Sequence, residues 1–281
     1  MKRRVLSMLL AALLIVSLMG TAPPAQEELR RELEEAYGFS LLVDGITEKS
    51  FHTFYDRYGY SGLPNSLDAY VLNIMQTVKK LFAAIPPEIV QYMARAADLT
   101  ILVSIDAGEE ADGLYYVDTN TICLMYEGNA LVHEYGHMLH YALLSVIGEA
   151  SFERQWTALN QGIGYNNGRG GQGVYDHDTG MGADGAVFYG NYATVDMFED
   201  VAETFWMMTE RPADLQQFIA NGAPLGQKAA LLDTLLKVTL LEADSALVTQ
   251  AFATGHFGFD YADCAEDGAW YCEECEEWHC Y

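Results

Sequence analysis

Two histidines lie four residues apart in the segment ALVHEYGHMLHY (130–141), with a glutamate directly after the first. On an α-helix, residues i and i+4 share a face, so the imidazoles of His133 and His137 could converge on one metal ion. Glu134 would lie beside that ion without binding it, where it could take a proton from a water that the ion activates. The pattern is typical of a catalytic zinc site, although a half-exposed helix can carry the same residues without any metal.

A catalytic zinc ion needs a third protein ligand and keeps one position open for water. If the third ligand were a histidine ten residues after His133, it would stand at position 143, which is Leu143, so the metzincin extension is absent. His140 lies one turn beyond His137. We interpret it as a residue behind the ligands or on the helix surface rather than as a ligand.

A carboxylate ligand must then come from elsewhere, and the segment NYATVDMFEDVAETFW (191–206) offers two candidates. Glu199 and Glu203 lie four residues apart on a predicted helix, beside an apolar stripe. Carboxylates in such a place need partners if they are buried, and a zinc ion and the N–H of a ligand imidazole would be suitable ones. The alternative is a solvated acidic face on an acidic protein.

HEYGH (133–137), followed 62 residues after His137 by Glu199 in the segment YATVDMFEDVAETF (192–205), resembles the gluzincin metallopeptidases. The type found in anthrax lethal factor and in the secreted Pro-Pro endopeptidases is most similar. The resemblance implies a zinc-dependent endopeptidase with one catalytic Zn²⁺, bound by His133, His137 and Glu199. It also implies that Glu203 accepts a hydrogen bond from a ligand histidine.

The same resemblance implies a donor to the oxyanion that forms on the scissile carbonyl. Tyr192, seven residues before the ligand glutamate, would take this role, and Tyr189 is an alternative donor. The resemblance further implies that TICLMY (121–126) is an exposed edge strand that pairs with an extended peptide substrate. The likeness covers residues 99–209 in layout and only two short motifs in sequence. The long glycine-rich segment before Tyr192 departs from a compact pattern, so the likeness implies nothing about cleavage specificity.

The periodicity of apolar residues predicts an α+β fold: helices, a small sheet, the motif helix, a long loop and further helices. Combined with the resemblance, this favours a zincin-like fold, in which a small mixed sheet with an exposed edge strand packs on the active-site helix and a mainly helical C-terminal lobe follows. No element is predicted in the Tyr- and Gly-rich stretch 37–65. The predicted helices are 27–36, 66–84, 88–97, the motif helix, 151–159, 197–208 and 227–241, and the predicted strands are 99–105, 113–118 and 121–126. We expect helix 27–36 to be solvated and helix 66–84 to be capped by Ser66. We expect the motif helix to be capped by Asn129 and to have an apolar face made of Leu131, Tyr135, Met138, Leu139, Ala142 and Val146.

The two ends of the chain differ in composition from the middle. Three basic residues precede an apolar run from Val5 to Met19, which predicts a signal peptide over 1–25 and a secreted protein. An uncleaved N-terminal anchor, with the protein facing outside, is the alternative. The catalytic domain would then cover 26–258, with two lobes that meet near residue 148, and an acidic Cys-rich tail would cover 259–281.

Cysteines are concentrated in that tail, at positions 264, 272, 275 and 280. In an oxidising compartment they favour two disulfides, with a structural zinc at Cys272-x-x-Cys275 as the alternative. We predict that Cys123 is a buried small apolar residue. The segment 160–190 has ten glycines, and we do not expect a second metal there at Asp176–Asp178 or in the tail.

A formal net charge of −25 excludes binding to nucleic acid or to anionic membrane surfaces through a basic face. Beyond the signal segment we expect no contact with a membrane. The partner that these observations favour is a peptide or protein substrate. The alternative function is an exported zinc-binding adhesion or interaction module without turnover.

Overall fold

The computed structural model describes residues 24–43, 45–58, 63–85, 87–105, 112–126, 128–165 and 187–237, together with the backbone of 270–272 and 277–279. This part of the chain is mostly helical and includes one four-stranded mixed sheet, so the α+β class is confirmed. The predicted signal peptide up to residue 23, the triplet at 176–178 and the side chains of the tail cysteines lie outside the described residues. Of the described helices, none is both long and apolar enough to cross a membrane.

Four helices and one strand precede the rest of the sheet. They are α1 (Pro24–Tyr37), β1 (Ser40–Val43), α2 (Glu48–Tyr58), α3 (Leu67–Phe82) and α4 (Pro87–Ala97). β1 and α2 lie in the stretch for which no element was predicted. Ser66 caps α3 as expected, because its side chain accepts a hydrogen bond from the backbone N–H of Ala69 at 3.3 Å. The first helix is largely solvated, as predicted, but it buries Leu33 in the core.

Three further strands complete the sheet: β2 (Thr100–Val103), β3 (Gly113–Tyr116) and β4 (Thr121–Leu124). The strand order is β1-β2-β4-β3, with β1, β2 and β4 parallel and β3 antiparallel to β4. The prediction that 121–126 is an exposed edge strand is therefore wrong. Ile122, Cys123 and Leu124 are all buried, as expected for a strand with a neighbour on either side, and Cys123 is the buried apolar residue that was predicted.

Five helices follow the sheet, and two short strands are described in the tail. The helices are α5 (Leu131–Ile147), α6 (Glu149–Ala158), α7 (Met197–Glu210), α8 (Pro212–Ala220) and α9 (Pro224–Leu235), and the strands are β5 (Trp270–Cys272) and β6 (Glu277–His279). The main hydrophobic core contains residues of β1, β2 and β4 and continues through Tyr135 and Trp156 to Phe205 and Leu232. The sheet thus shares its core with α5, α6, α7 and α9.

A buried ion pair joins α7 to α9. Lys228 and Asp200 are both 0% exposed, and the Lys228 Nζ donates to Asp200 Oδ2 at 2.6 Å. The same oxygen accepts from Trp156 Nε1 at 2.7 Å and from the Tyr165 hydroxyl at 2.8 Å. Burial raises the pKa of Asp200 and lowers the pKa of Lys228, while their mutual attraction opposes both shifts. One carboxylate therefore ties the start of α7 to α6, to α9 and to the segment that follows α6.

Lys228→Met should destabilise the protein strongly, because it leaves the Asp200 carboxylate buried without its counter-ion. The expected loss in the free energy of unfolding is about 3–5 kcal/mol. Lys237→Met is the matched control, since Lys237 forms an exposed ion pair with Asp233 at 2.5 Å, and it should cost about 1 kcal/mol or less. Denaturant titration of both variants measures the difference, and equal losses would show that the buried pair is not a structural anchor.

Candidate metal centre

Helix α5 holds the two motif histidines on one face. The rings of His133 and His137 lie 4.7 Å apart, centroid to centroid, and are nearly perpendicular at 88°. The helix begins after Ala130 and not after the predicted cap Asn129, and Ala130 offers no side-chain cap. Val146 was predicted on the apolar face but is 46% exposed. The core side of the helix is therefore rotated away from Val146, and it includes both His133 and Glu134.

Helix α7 supplies the carboxylate of Glu199, and the first turn of this helix fixes its position. Asp196 has an extended backbone conformation and caps the helix, because its side chain accepts from the Glu199 backbone N–H at 3.0 Å. Glu199 is thus the third residue of the helix, where the positive end of the helix dipole stabilises an ionised carboxylate. Glu203 lies one turn further along the same face and is 1% exposed.

The two helices approach each other closely because one residue has no side chain. A Cβ added to Gly136 would lie 2.8 Å from the Cα of Ala202 and 3.2 Å from the Ala202 carbonyl oxygen. Any larger residue at position 136 would push α7 away from α5. This contact sets the depth at which Glu199 reaches the histidines.

The structure brings His133, His137 and Glu199 together, with one ligand atom from each within 4.8 Å of the others. The Nε2 atoms of His133 and His137 lie 3.1 and 3.4 Å from Glu199 Oε2. That oxygen is buried and has no hydrogen-bond partner of regular geometry among the described residues. The three residues form a group that could hold a metal ion.

A hydrogen bond to Glu203 determines which nitrogen of His133 faces Glu199, and so whether a cation fits between them. His133 Nδ1 lies 2.7 Å from Glu203 Oε1, so Nδ1 carries the proton and donates it to the carboxylate. The other ring nitrogen, Nε2, then presents its lone pair to Glu199 Oε2. Two acceptors at 3.1 Å require a proton or a metal ion between them. Tetrahedral zinc with bond lengths of about 2.0–2.2 Å would place its ligand atoms about 3.3–3.6 Å apart, close to the distances found here.

The pKa shifts of Glu199 and His133 also indicate that positive charge is stabilised between them. Burial alone would raise the pKa of Glu199, but the adjacent imidazoles of His133 and His137 outweigh it and hold that pKa well below its usual range. Burial alone would lower the pKa of His133, yet Glu199 and Glu203 raise it to about 10. A metal ion must therefore displace a tightly held proton to bind at this centre.

Glu134 lies beside the ligand group and is not part of it. Its side chain is buried, and burial raises its pKa, although the two histidines oppose the shift. The backbone N–H of Tyr115 in β3 also opposes the rise in the pKa of Glu134. A Cβ added to Gly113 would lie 3.0 Å from Glu134 Cγ. The edge strand β3 therefore passes directly over this carboxylate.

The two candidate tyrosines are separated by the fold. The Tyr192 hydroxyl donates to Glu199 Oε1 at 3.0 Å, and its ring lies 5.4 Å from that of His133. Tyr189 packs instead on Trp206 at 5.5 Å, in a separate apolar cluster with residues of α7, α8 and α9. Only Tyr192 lies next to the three residues that could hold a metal.

His140 lies in the core and not on the helix surface. It is 0% exposed between the rings of Phe152 and Phe198, at 4.6 and 4.7 Å. Neither ring nitrogen has a hydrogen-bond partner among the described residues. Burial lowers the pKa of His140 to about 3, so the ring is neutral. His140 is thus close to α7 without bonding to any of the three residues of the centre.

Two residues that shape the centre were missed in the sequence. Asp200 was interpreted as part of an acidic cluster, because its partner Lys228 lies 28 residues further along the chain. A lone lysine in the apolar segment of α9 was the available signal of a buried ion pair. Gly136 was read only as part of the motif. A glycine inside a helix is itself a signal of a close backbone approach.

Comparison with protein-family models and with curated protein sequences gave no match.

Glu199→Ala should abolish tight zinc binding, because it removes the carboxylate that faces both imidazoles. Glu203→Ala should weaken binding by a smaller factor, about 10–100-fold, since it removes only the acceptor that orients His133. Glu210→Ala, at the far end of the same helix, is the matched control and should leave the affinity unchanged. Competition titration against a zinc-binding dye measures all three, and an unchanged affinity in Glu199→Ala would contradict this ligand set.

Proposed function

We propose that the protein is an exported, zinc-dependent metallopeptidase of the gluzincin type that hydrolyses peptide bonds. The observation that carries the proposal is the buried Glu199 Oε2, which faces the Nε2 atoms of His133 and His137 at 3.1 and 3.4 Å. Those acceptors need a proton or a metal ion between them, and a second carboxylate, Glu134, lies next to them outside the ligand set. A metal bound there would have a general base at its side.

The donor set favours zinc over the other common divalent ions. Two imidazoles and one carboxylate suit zinc, whereas calcium and magnesium prefer oxygen ligands alone. Three protein ligands leave a fourth tetrahedral position open, which is the arrangement of a catalytic site and not of a structural one. When bound, zinc would polarise the scissile carbonyl and acidify a water molecule.

Glu134 is the residue that would move the proton. A carboxylate whose pKa is raised by burial is a better base at neutral pH than an exposed one. It would take a proton from the attacking water and then deliver it to the leaving amine. It lies beside β3, where that amine would lie, because a Cβ added to Gly113 would come within 3.0 Å of Glu134 Cγ.

Two further residues would assist the reaction: Tyr192 as a hydrogen-bond donor to the oxyanion, and Glu203 as the acceptor that orients His133. Tyr192 has a neutral hydroxyl that points at Glu199 Oε1, and a modest turn of that O–H would direct it to an oxyanion formed close by. Glu203 holds His133 Nδ1 at 2.7 Å, which fixes the tautomer that exposes Nε2 to a metal.

The free side of β3 offers a place for an extended peptide. Among the described strands, β3 pairs only with β4. The Asp112 carbonyl accepts from the Met125 N–H at 3.1 Å, so the alternate residues Gly113 and Tyr115 direct their backbone groups away from β4. A peptide that pairs with this side would run past Glu134. The substrate-binding strand in this proposal is therefore β3, in place of 121–126.

Glu134→Ala should retain zinc and lose peptide cleavage by about 10²–10⁴-fold, because the ligands remain and the proton acceptor is gone. A peptide library made from a proteome digest, read by mass spectrometry, measures cleavage, and metal analysis of the same samples measures zinc. Glu149→Ala, an exposed glutamate in the first turn of α6, is the matched control and should cleave like the wild type.

Cuts that Glu134→Ala produces as fast as the wild type would overturn this mechanism. Zinc binding in the wild type without any cleavage that depends on Glu134 would favour the rival function, a zinc-binding interaction module.

A further inference from the structure

A cavity of about 370 Å³ lies beside the C-terminal half of α5. It is bounded by that helix, by the end of β3 and by α4. Its walls carry no charged side chain, and the residues that matter here are Tyr92, Tyr115, Met138, Tyr141, Ser145 and Val146. An uncharged cavity of this size can hold one large apolar or aromatic side chain.

Exposed apolar side chains collect at the mouth of this cavity. Seven large apolar side chains are exposed in the described part of the chain, and three of them line this cavity. These three are Val117, Tyr141 and Val146, at 43%, 37% and 46% exposure. A concentration of exposed apolar surface in an otherwise acidic protein marks a site that another group covers.

Strand β3 contributes to this cavity through Tyr115 and contacts the proposed catalytic centre through Gly113. Gly113 and Tyr115 point to the same side of the sheet: a Cβ on Gly113 would meet Glu134, and the Tyr115 ring lies 5.9 Å from the Tyr141 ring. Residues that face each other in neighbouring strands direct their side chains to the same side. A peptide residue opposite Tyr115 would therefore point towards the cavity, while the residue opposite Gly113 lies at Glu134. The two positions are two residues, about 6.6 Å, apart.

We infer that this cavity is a specificity subsite for a large apolar or aromatic side chain of the substrate, within about three residues of the scissile bond. The inference rests on the proposed peptidase function and adds the class of peptide that the site selects. Tyr115 and Tyr141 are the walls that contact the side chain, and Ser145 and Val146 form the rim.

Two variants alter the cavity without touching the catalytic group. Ser145→Trp fills it from an exposed helical position, where the Ser145 hydroxyl only donates to the Ala142 carbonyl at 2.7 Å. Val146→Asp places a charge on the exposed rim. Thr53→Trp is the matched control, since Thr53 is likewise exposed on a helix and donates to the Lys49 carbonyl at 3.0 Å, away from the cavity.

The test compares cleavage of an unbiased peptide library by the wild type and the three variants. The wild type should favour Phe, Tyr, Trp, Leu or Met at one position within three residues of the cut, by about tenfold or more over Gly or Asp. Ser145→Trp and Val146→Asp should lose that preference and keep cleavage of other peptides, and Thr53→Trp should keep both. N-acetyl-tryptophanamide, added to the whole protein, should shift the NMR signals of Tyr141 and Val146 in the wild type and not those of Ser145→Trp.

Cleavage without such a preference, or a preference that survives both cavity variants, would overturn the subsite and leave the peptidase standing. The subsite would also be overturned if N-acetyl-tryptophanamide failed to shift the Tyr141 and Val146 signals. This holds even if another segment or a partner covers the mouth of the cavity. If the wild type cleaves nothing in the library, the peptidase function and the subsite both fall.

Discussion

Close packing of α5 on α7 is the constraint on which the centre depends. Because Gly136 has no side chain, the backbone at Ala202 comes within contact distance, and Glu199 reaches the imidazoles of His133 and His137. Three acceptors so close together repel one another unless a proton or a metal ion lies between them. The fold therefore creates a place where positive charge is required, and the helix dipole of α7 alone does not supply it.

The surroundings of α7 explain why it keeps this position. Asp196 fixes the start of the helix, and Asp200, one residue after Glu199, is anchored by Lys228 from α9 and by Trp156 from α6. A buried ion pair contributes little net stability compared with an apolar pair of the same shape, but it accepts few alternative geometries. Its position next to Glu199 indicates that it orients the first turn of α7.

The sequence predicted the local features of the centre and missed those that depend on distant partners. His133, Glu134 and His137 follow from spacing within one helix, and Glu199 and Glu203 were found as a pair on a second helix. The structure brings His133, His137 and Glu199 together. Spacing alone did not distinguish the two carboxylates, because their roles depend on the packing of α5 against α7, and the resemblance supplied the assignment of Glu199 to the ligand group and of Glu203 to a ligand histidine.

The errors have physical reasons of the same kind. Strand β4 precedes the motif helix in sequence and was taken for the edge, but strand order is set by non-local pairing, and β3 folds back to cover it. β1 has only four residues, three of them exposed, so it carried no clear alternation. His140 occupies a fully buried position between two phenylalanines, and nothing in the spacing of α5 shows that α6 and α7 close over it.

X-ray absorption at the zinc edge of the zinc-loaded protein tests the central claim most directly, because it reports which atoms bind the ion. The account predicts a shell of nitrogen and oxygen ligands only, with the outer-shell scattering of two imidazoles and bond lengths of about 2.0–2.2 Å. Sulfur ligands at about 2.3 Å would place the zinc among the tail cysteines and contradict the assignment to His133, His137 and Glu199.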